Sequence, residues 1–124
     1  MASKVAVYGS LRKGMHNHYL LGNSKFLGKA KGSGLVMYSM GGFPAVVPSG
    51  NDHETIVVEL YEVSPQVLEI LDRLEGYPEW YNRKVHTFIT EEGTKEEAQI
   101  YFMSRFIDRP VVPGGDWVRY YTHR

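Results

Sequence analysis

Thr55-Ile56-Val57-Val58-Glu59-Leu60-Tyr61-Glu62-Val63-Ser64-Pro65-Gln66-Val67-Leu68-Glu69-Ile70-Leu71-Asp72-Arg73-Leu74-Glu75-Gly76 changes its hydrophobic period once, and that change decides the fold class. Up to Val63 the run is rich in β-branched residues, which suit a pleated, half-buried surface, so it predicts a strand over 55–63. Ser64 is a good helix N-cap and Pro65 fits the first helical position. Val67, Leu68, Ile70, Leu71 and Leu74 then fall on one stripe at helical spacing. Gly76 supplies the C-cap, and Pro78 prevents continuation.

Outward from this unit the chain reads mainly as strands. Val5-Ala6-Val7-Tyr8 is short and continuously apolar, as expected of a strand covered on both faces. Lys25 to Ala30 and Leu35 to Tyr38 read as strands joined by the turn Lys31-Gly32-Ser33-Gly34. Ala45 to Val47 is a brief strand. Arg83 to Thr90 and Glu97 to Met103 read as a pair around Glu91-Glu92-Gly93-Thr94. A minor helix through Tyr19 to Leu21 would take Asn17 as its cap. About six strands with one main and one minor helix do not alternate as a doubly wound sheet requires. The expected fold is α+β: a small mixed β-barrel flanked by helices. Residues 1–124 are expected to form one domain, with the tail 104–124 packed onto the body.

Totals narrow the function. Lys+Arg and Asp+Glu are equal at 14 each, so no net charge draws the chain to nucleic acid or acidic membranes. The absence of cysteine excludes disulfides, thiolate nucleophiles and Cys-ligated zinc. No apolar run approaches a membrane span, and Met-Ala-Ser-Lys shows no signal-peptide pattern, so a cytoplasmic protein is expected. The composition leaves the oligomeric state open. His16 and His18 sit at a loop–helix start and the other histidines are scattered, so no metal site is expected. Ser10 lacks the G-x-S-x-G elbow and a carboxylate to orient a histidine, which argues against a serine nucleophile.

Two stretches carry chemistry. Successive residues advance ~100° around a helix, which puts Glu75 between Leu68 and Leu71, within the apolar stripe. It also sits in the last turn, where the macrodipole disfavours negative charge. Burial and dipole together would raise its pKa and suit it to general acid–base work near neutral pH. The other reading is a frayed helix end with a solvated Glu75. Gly9-Ser10-Leu11-Arg12-Lys13-Gly14 follows the first strand. Its amides could bind a carboxylate or an oxyanion, with Arg12 and Lys13 adding positive charge, or it is an ordinary turn. Tyr77, Trp80 and Tyr81 could wall a pocket beside Glu75 or pack as core.

Tyr8-Gly9-Ser10-Leu11-Arg12, with Gly14 and Asn17, resembles the opening signature of the gamma-glutamylcyclotransferase-like family. Leu71-Asp72-Arg73-Leu74-Glu75-Gly76 and Tyr81-x-Arg83 resemble its second and third signatures. Gly42 to Ala45, Glu59 to Val63 and Ala98 to Tyr101 fall at matching places, so the resemblance covers about residues 4 to 103. It implies a small mixed barrel that binds a gamma-glutamyl amide or peptide. Tyr8, Gly9, Ser10 and Leu11 would hold the glutamyl end, Glu75 would be catalytic, and Tyr81 and Tyr101 would line the pocket. The product would be 5-oxoproline, released without cofactor or metal. Two departures stand out: Val58 replaces a small residue often found before Glu59, and the tail after Arg105 has no counterpart. The alternative is a non-catalytic ligand-binding or partner-binding protein built on the same fold.

Overall fold

The computed structural model describes residues 2–104 and 108–122. The strands are β1 (Ser3–Val7), β2 (Lys25–Ser33), β3 (Leu35–Ser39), β4 (Pro44–Pro48), β5 (Thr55–Val63), β6 (Asn82–Thr90) and β7 (Lys95–Phe102). The α-helices are α1 (Pro65–Glu75) and α2 (Trp117–Thr122), and 3-10 turns occupy His18–Leu21 and Pro113–Gly115. Five strands close into a barrel in the order β1-β5-β2-β6-β7. β1 and β7 close it as a parallel pair, with Val5 opposite Gln99 and Ala6 opposite Ile100. The other barrel pairings are antiparallel, so the barrel is mixed.

β3 and β4 form a separate two-stranded ribbon, so the barrel has five strands rather than about six. The turn expected at 31–34 is not a hairpin. β2 continues to Ser33 and pairs along its length with β5, and the chain leaves the barrel at Gly34. Gly32 sits where an added Cβ would lie 2.7 Å from the Phe88 ring, so the strand passes over a large core side chain at a point where only glycine fits. α2 was not expected: it is six residues long and follows a Pro-Gly-Gly turn. Its Trp117 is fully buried in the barrel cluster with Ile56, Phe88 and Ile100. Val111 bridges Tyr38, and the Val112 N–H donates to Met37 O at 2.9 Å, so this segment also runs along the ribbon.

Alternation along the strands builds two cores, because successive side chains point to opposite faces. Ala6 and Tyr8 of the first strand region join Val58, Leu60, Phe88 and Ile100 in one cluster. Val5 and Val7 join Tyr61, Val63, Leu71, Tyr81 and Tyr101 in the other, beneath α1. β1 is therefore covered on both faces, as its continuous apolar run predicts.

Ser64 caps α1 by accepting from the Val67 N–H at 3.2 Å. Gly76 ends it in the left-handed conformation, with φ of 65°. Its N–H reaches Arg73 O, and the Tyr77 N–H reaches Asp72 O. Leu71 is the helix's fully buried anchor, whereas Leu74, expected on the apolar stripe, is 42% exposed.

Candidate active site

The barrel end under the C-terminus of α1 holds a cavity of about 810 Å³. Tyr8, Gly9, Ser10, Leu11, Glu75, Tyr81 and Tyr101 all line it, so the fold brings every sequence-predicted site residue to one place. β1 delivers the Tyr8–Leu11 loop, α1 delivers Glu75, the 76–80 loop delivers Tyr81, and β7 delivers Tyr101. A second concavity of about 900 Å³, beside Lys29, Lys31 and Asp116, shares none of these residues.

Glu75 is the last residue of α1 and is partly buried. Its carboxylate forms no hydrogen bond or ion pair among the described residues. Burial pushes its pKa up from the usual 4.5 to about 7. Two other acids near the core show what a structural carboxylate looks like here. Glu59 is 5% exposed and accepts from Arg12 Nε, the Lys13 N–H and the Tyr61 hydroxyl, each at 2.9 Å. Asp72 accepts from the Tyr101 hydroxyl at 2.6 Å and from Arg83 Nη2 at 3.1 Å, and Arg83 Nε lies 2.9 Å from its Oδ1.

The loop after β1 is a turn closed by the Arg12 N–H donating to Gly9 O at 3.0 Å. The Met15 N–H donates to Arg12 O and the Asn17 N–H to Ser10 O, which carries the loop onward. The Ser10 and Leu11 N–H groups sit inside the turn and close none of it. Gly9 has no positive φ. It is needed because an added Cβ would lie 2.9 Å from Pro44 Cγ, where the loop passes close to the ribbon.

Two expectations fail here. Arg12 is 3% exposed and is spent on Glu59 and on Asp116, 2.7 Å away; it does not line the cavity. Lys13 lies 3.5 Å over the Phe26 ring instead of facing the site. Asn17 makes no side-chain cap for the 3-10 turn at His18–Leu21; its Nδ2 donates to Ser10 Oγ at 2.9 Å and fixes that side chain.

The aromatic loop divides. Tyr81 is buried, and its hydroxyl donates to Pro44 O at 3.2 Å. Tyr77 lies under the Arg83 guanidinium, 4.5 Å from ring centroid to Cζ. Trp80 is 69% exposed and stands on the cavity lining with Phe43, so it is not core packing. The sequence reading missed Asp72, which falls on the flank of α1, where side chains are usually solvated. Its partners lie 11 and 29 residues further along the chain.

A family model described as "Gamma-glutamyl cyclotransferase, AIG2-like" matches residues 5–119. The chain belongs to that family. The match passes residue 103, so the tail that showed no counterpart by motif lies within the family region up to 119. Membership makes the chain an enzyme of the gamma-glutamylcyclotransferase type. The chain is 43% identical over 102 residues to MJ1514 of Methanocaldococcus jannaschii, covering 79% of this chain and 82% of that one. It is 31% identical to "Gamma-glutamylaminecyclotransferase C" of Danio rerio, covering 96% and 82%. Among solved structures, YkqA from Bacillus subtilis superposes with a TM-score of 0.78 at 31% identity, over 94% of this chain and 40% of that longer one. Among the described residues, no helix is long and apolar enough to cross a membrane.

Proposed function

We propose that the chain releases 5-oxoproline and a free amine from a gamma-glutamyl amide by intramolecular attack of the α-amine. One observation carries this reading: a carboxylate with no hydrogen bond or ion pair among the described residues, its pKa raised by burial to about 7, lines the same cavity as an amide-bearing turn. Ionised Glu75 takes a proton from the α-ammonium. The freed nitrogen attacks the γ-carbonyl of the same molecule and closes a five-membered ring. The Ser10 and Leu11 amides hold the α-carboxylate or the developing oxyanion. As the intermediate collapses, the carbon–nitrogen bond to the leaving group breaks and Glu75 returns its proton to that nitrogen. The ammonium enters with three protons and the lactam nitrogen keeps one. The other two end on the departing amine as its ammonium form, or one passes to water. Nucleophile and electrophile share one molecule, so positioning supplies much of the acceleration.

Phe43 and Trp80 are well exposed on the lining, and in this reading they contact the leaving group. The partner-binding alternative would be favoured by a cavity plugged by Val58 or Trp80, and the ligand-binding one by ligand protection without turnover. Val58 lies in the buried barrel cluster and does not line the cavity, and Trp80 is exposed. The test is incubation with a panel of gamma-glutamyl amines and peptides, with 5-oxoproline as the readout. Glu75→Gln should abolish product formation and leave the circular dichroism spectrum unchanged. Product at the wild-type rate from that variant would remove Glu75 from the mechanism.

A further inference from the structure

Lys29, Lys31 and Arg119 are exposed, and their side chains form no hydrogen bond, ion pair or ring contact among the described residues. All three line the second concavity, of about 900 Å³. Cations elsewhere find partners: Lys4 has Glu96, Arg73 has Glu69, Arg83 has Asp72, and Lys13 and Lys84 lie over the rings of Phe26 and Phe102. Lys25, Lys95 and Arg109 also form none of these contacts, but they line neither cavity.

Strand geometry puts Lys29 and Lys31, two residues apart on β2, on one face of the barrel. Lys31 stands opposite Val57 of β5 and Ile89 of β6, which with Pro113 give the groove an apolar floor. The turn at Pro113–Gly115 and α2 wall its far side and bring Arg119 to it. That wall is seated tightly, since a Cβ on Gly115 would collide with Thr55 O. Of the acids flanking this charge, two have their oxygens taken. Glu59, opposite Lys29, accepts from Arg12, the Lys13 N–H and the Tyr61 hydroxyl. Asp116 accepts from Arg12 and the Arg119 N–H, and Lys29 acts on it through space without an ion pair. Glu91 is the remaining acid on the lining. Arg12, Lys29, Lys31 and Arg119 thus face Glu59, Asp116 and Glu91, and the groove keeps a net positive charge.

We propose that this groove is a second ligand site, separate from the cavity under α1, and that it takes a small molecule carrying a phosphate group on an apolar body. A guanidinium fork with two lysines beside it suits phosphate. A phosphate monoester brings about −1.5 to −2 charge at neutral pH, where a carboxylate brings a single charge. Val57, Ile89 and Pro113 cover the body.

The probe is phenyl phosphate, with inorganic phosphate and phenol as its two halves, titrated at fixed ionic strength into the isotope-labelled chain and followed by amide NMR. Phenyl phosphate should shift the amides of Lys29, Lys31, Gly114 and Arg119 saturably and bind at least about fivefold more tightly than either half. Lys31→Gln and Arg119→Gln should each weaken it about fivefold, and Glu91→Gln should tighten it about twofold. Lys25→Gln should leave it unchanged. Shifts centred on Ser10 and Leu11, equal shifts beside Lys25 and Arg109, or no saturation by about 10 mM overturn the site. Inorganic phosphate binding as tightly as phenyl phosphate overturns the apolar half. None of these readouts uses turnover, so the groove and the proposed reaction stand or fall separately.

Discussion

Glu75 costs the fold stability that the proposed reaction would put to use. Its folded pKa is about 7 against the usual 4.5. Between those values the folded chain holds a proton that the unfolded chain has lost, so stability falls as pH rises across that window and stays lower above it. The cost is on the order of 1–3 kcal/mol. Glu75→Gln should therefore be inactive and more stable than the natural chain at pH 8, with little difference at pH 4; urea unfolding at the two pH values measures this. The proposed reaction needs the ionised form, so kcat/KM should rise with pH to a plateau with a midpoint near 7. Trp80→Ala should raise KM with stability changed by less than about 0.5 kcal/mol, since the side chain is largely exposed. Glu75 was legible in the sequence because helical spacing places a charge among leucines. Arg12 was misread because its partner Glu59 lies 47 residues away, and no local pattern shows that a cation beside a glycine turn will be buried.

At the scale of elements, α1 was legible from cap to cap because Ser64, Pro65 and Gly76 act locally. Gly76 holds the helix end that aims Glu75. An alanine there would face a φ of 65° and a Cβ only 2.7 Å from Trp80 Cδ1. Gly76→Ala should cost about 1–3 kcal/mol of stability in thermal melts and lower kcat, by unwinding the last turn. Strand pairing was less legible than strand existence. β2 and β3 look like a hairpin because they are adjacent and apolar, yet β2 belongs to β5 through a register spanning Lys25 to Ser33, with a bulge between Phe26 and Gly28. α2 was invisible to periodicity: six residues give less than two turns, and its stability comes from burying Trp117, a tertiary cause.

At the scale of the molecule, a buried ionic cluster ties distant segments together. Arg12 bridges Glu59 of β5 to Asp116 just before α2, spanning 104 residues of sequence to the latter. Arg12→Ala would leave Glu59 buried without its cation and should cost about 3–5 kcal/mol in urea unfolding. It should also loosen the Ser10–Leu11 turn and so impair turnover. Trp117→Ala should cost about the same by opening a cavity within the barrel. Barrel closure has a consequence for synthesis. β1 leaves the ribosome first, but its neighbours in the barrel are β5 and β7, and the tryptophan that fills the interior comes later still. The pairing that closes the barrel joins residues 94 positions apart, and such non-local closure is slow. A nascent chain stalled before β7 has emerged should remain sensitive to protease, and resistance should arise in one step once Trp117 clears the exit tunnel.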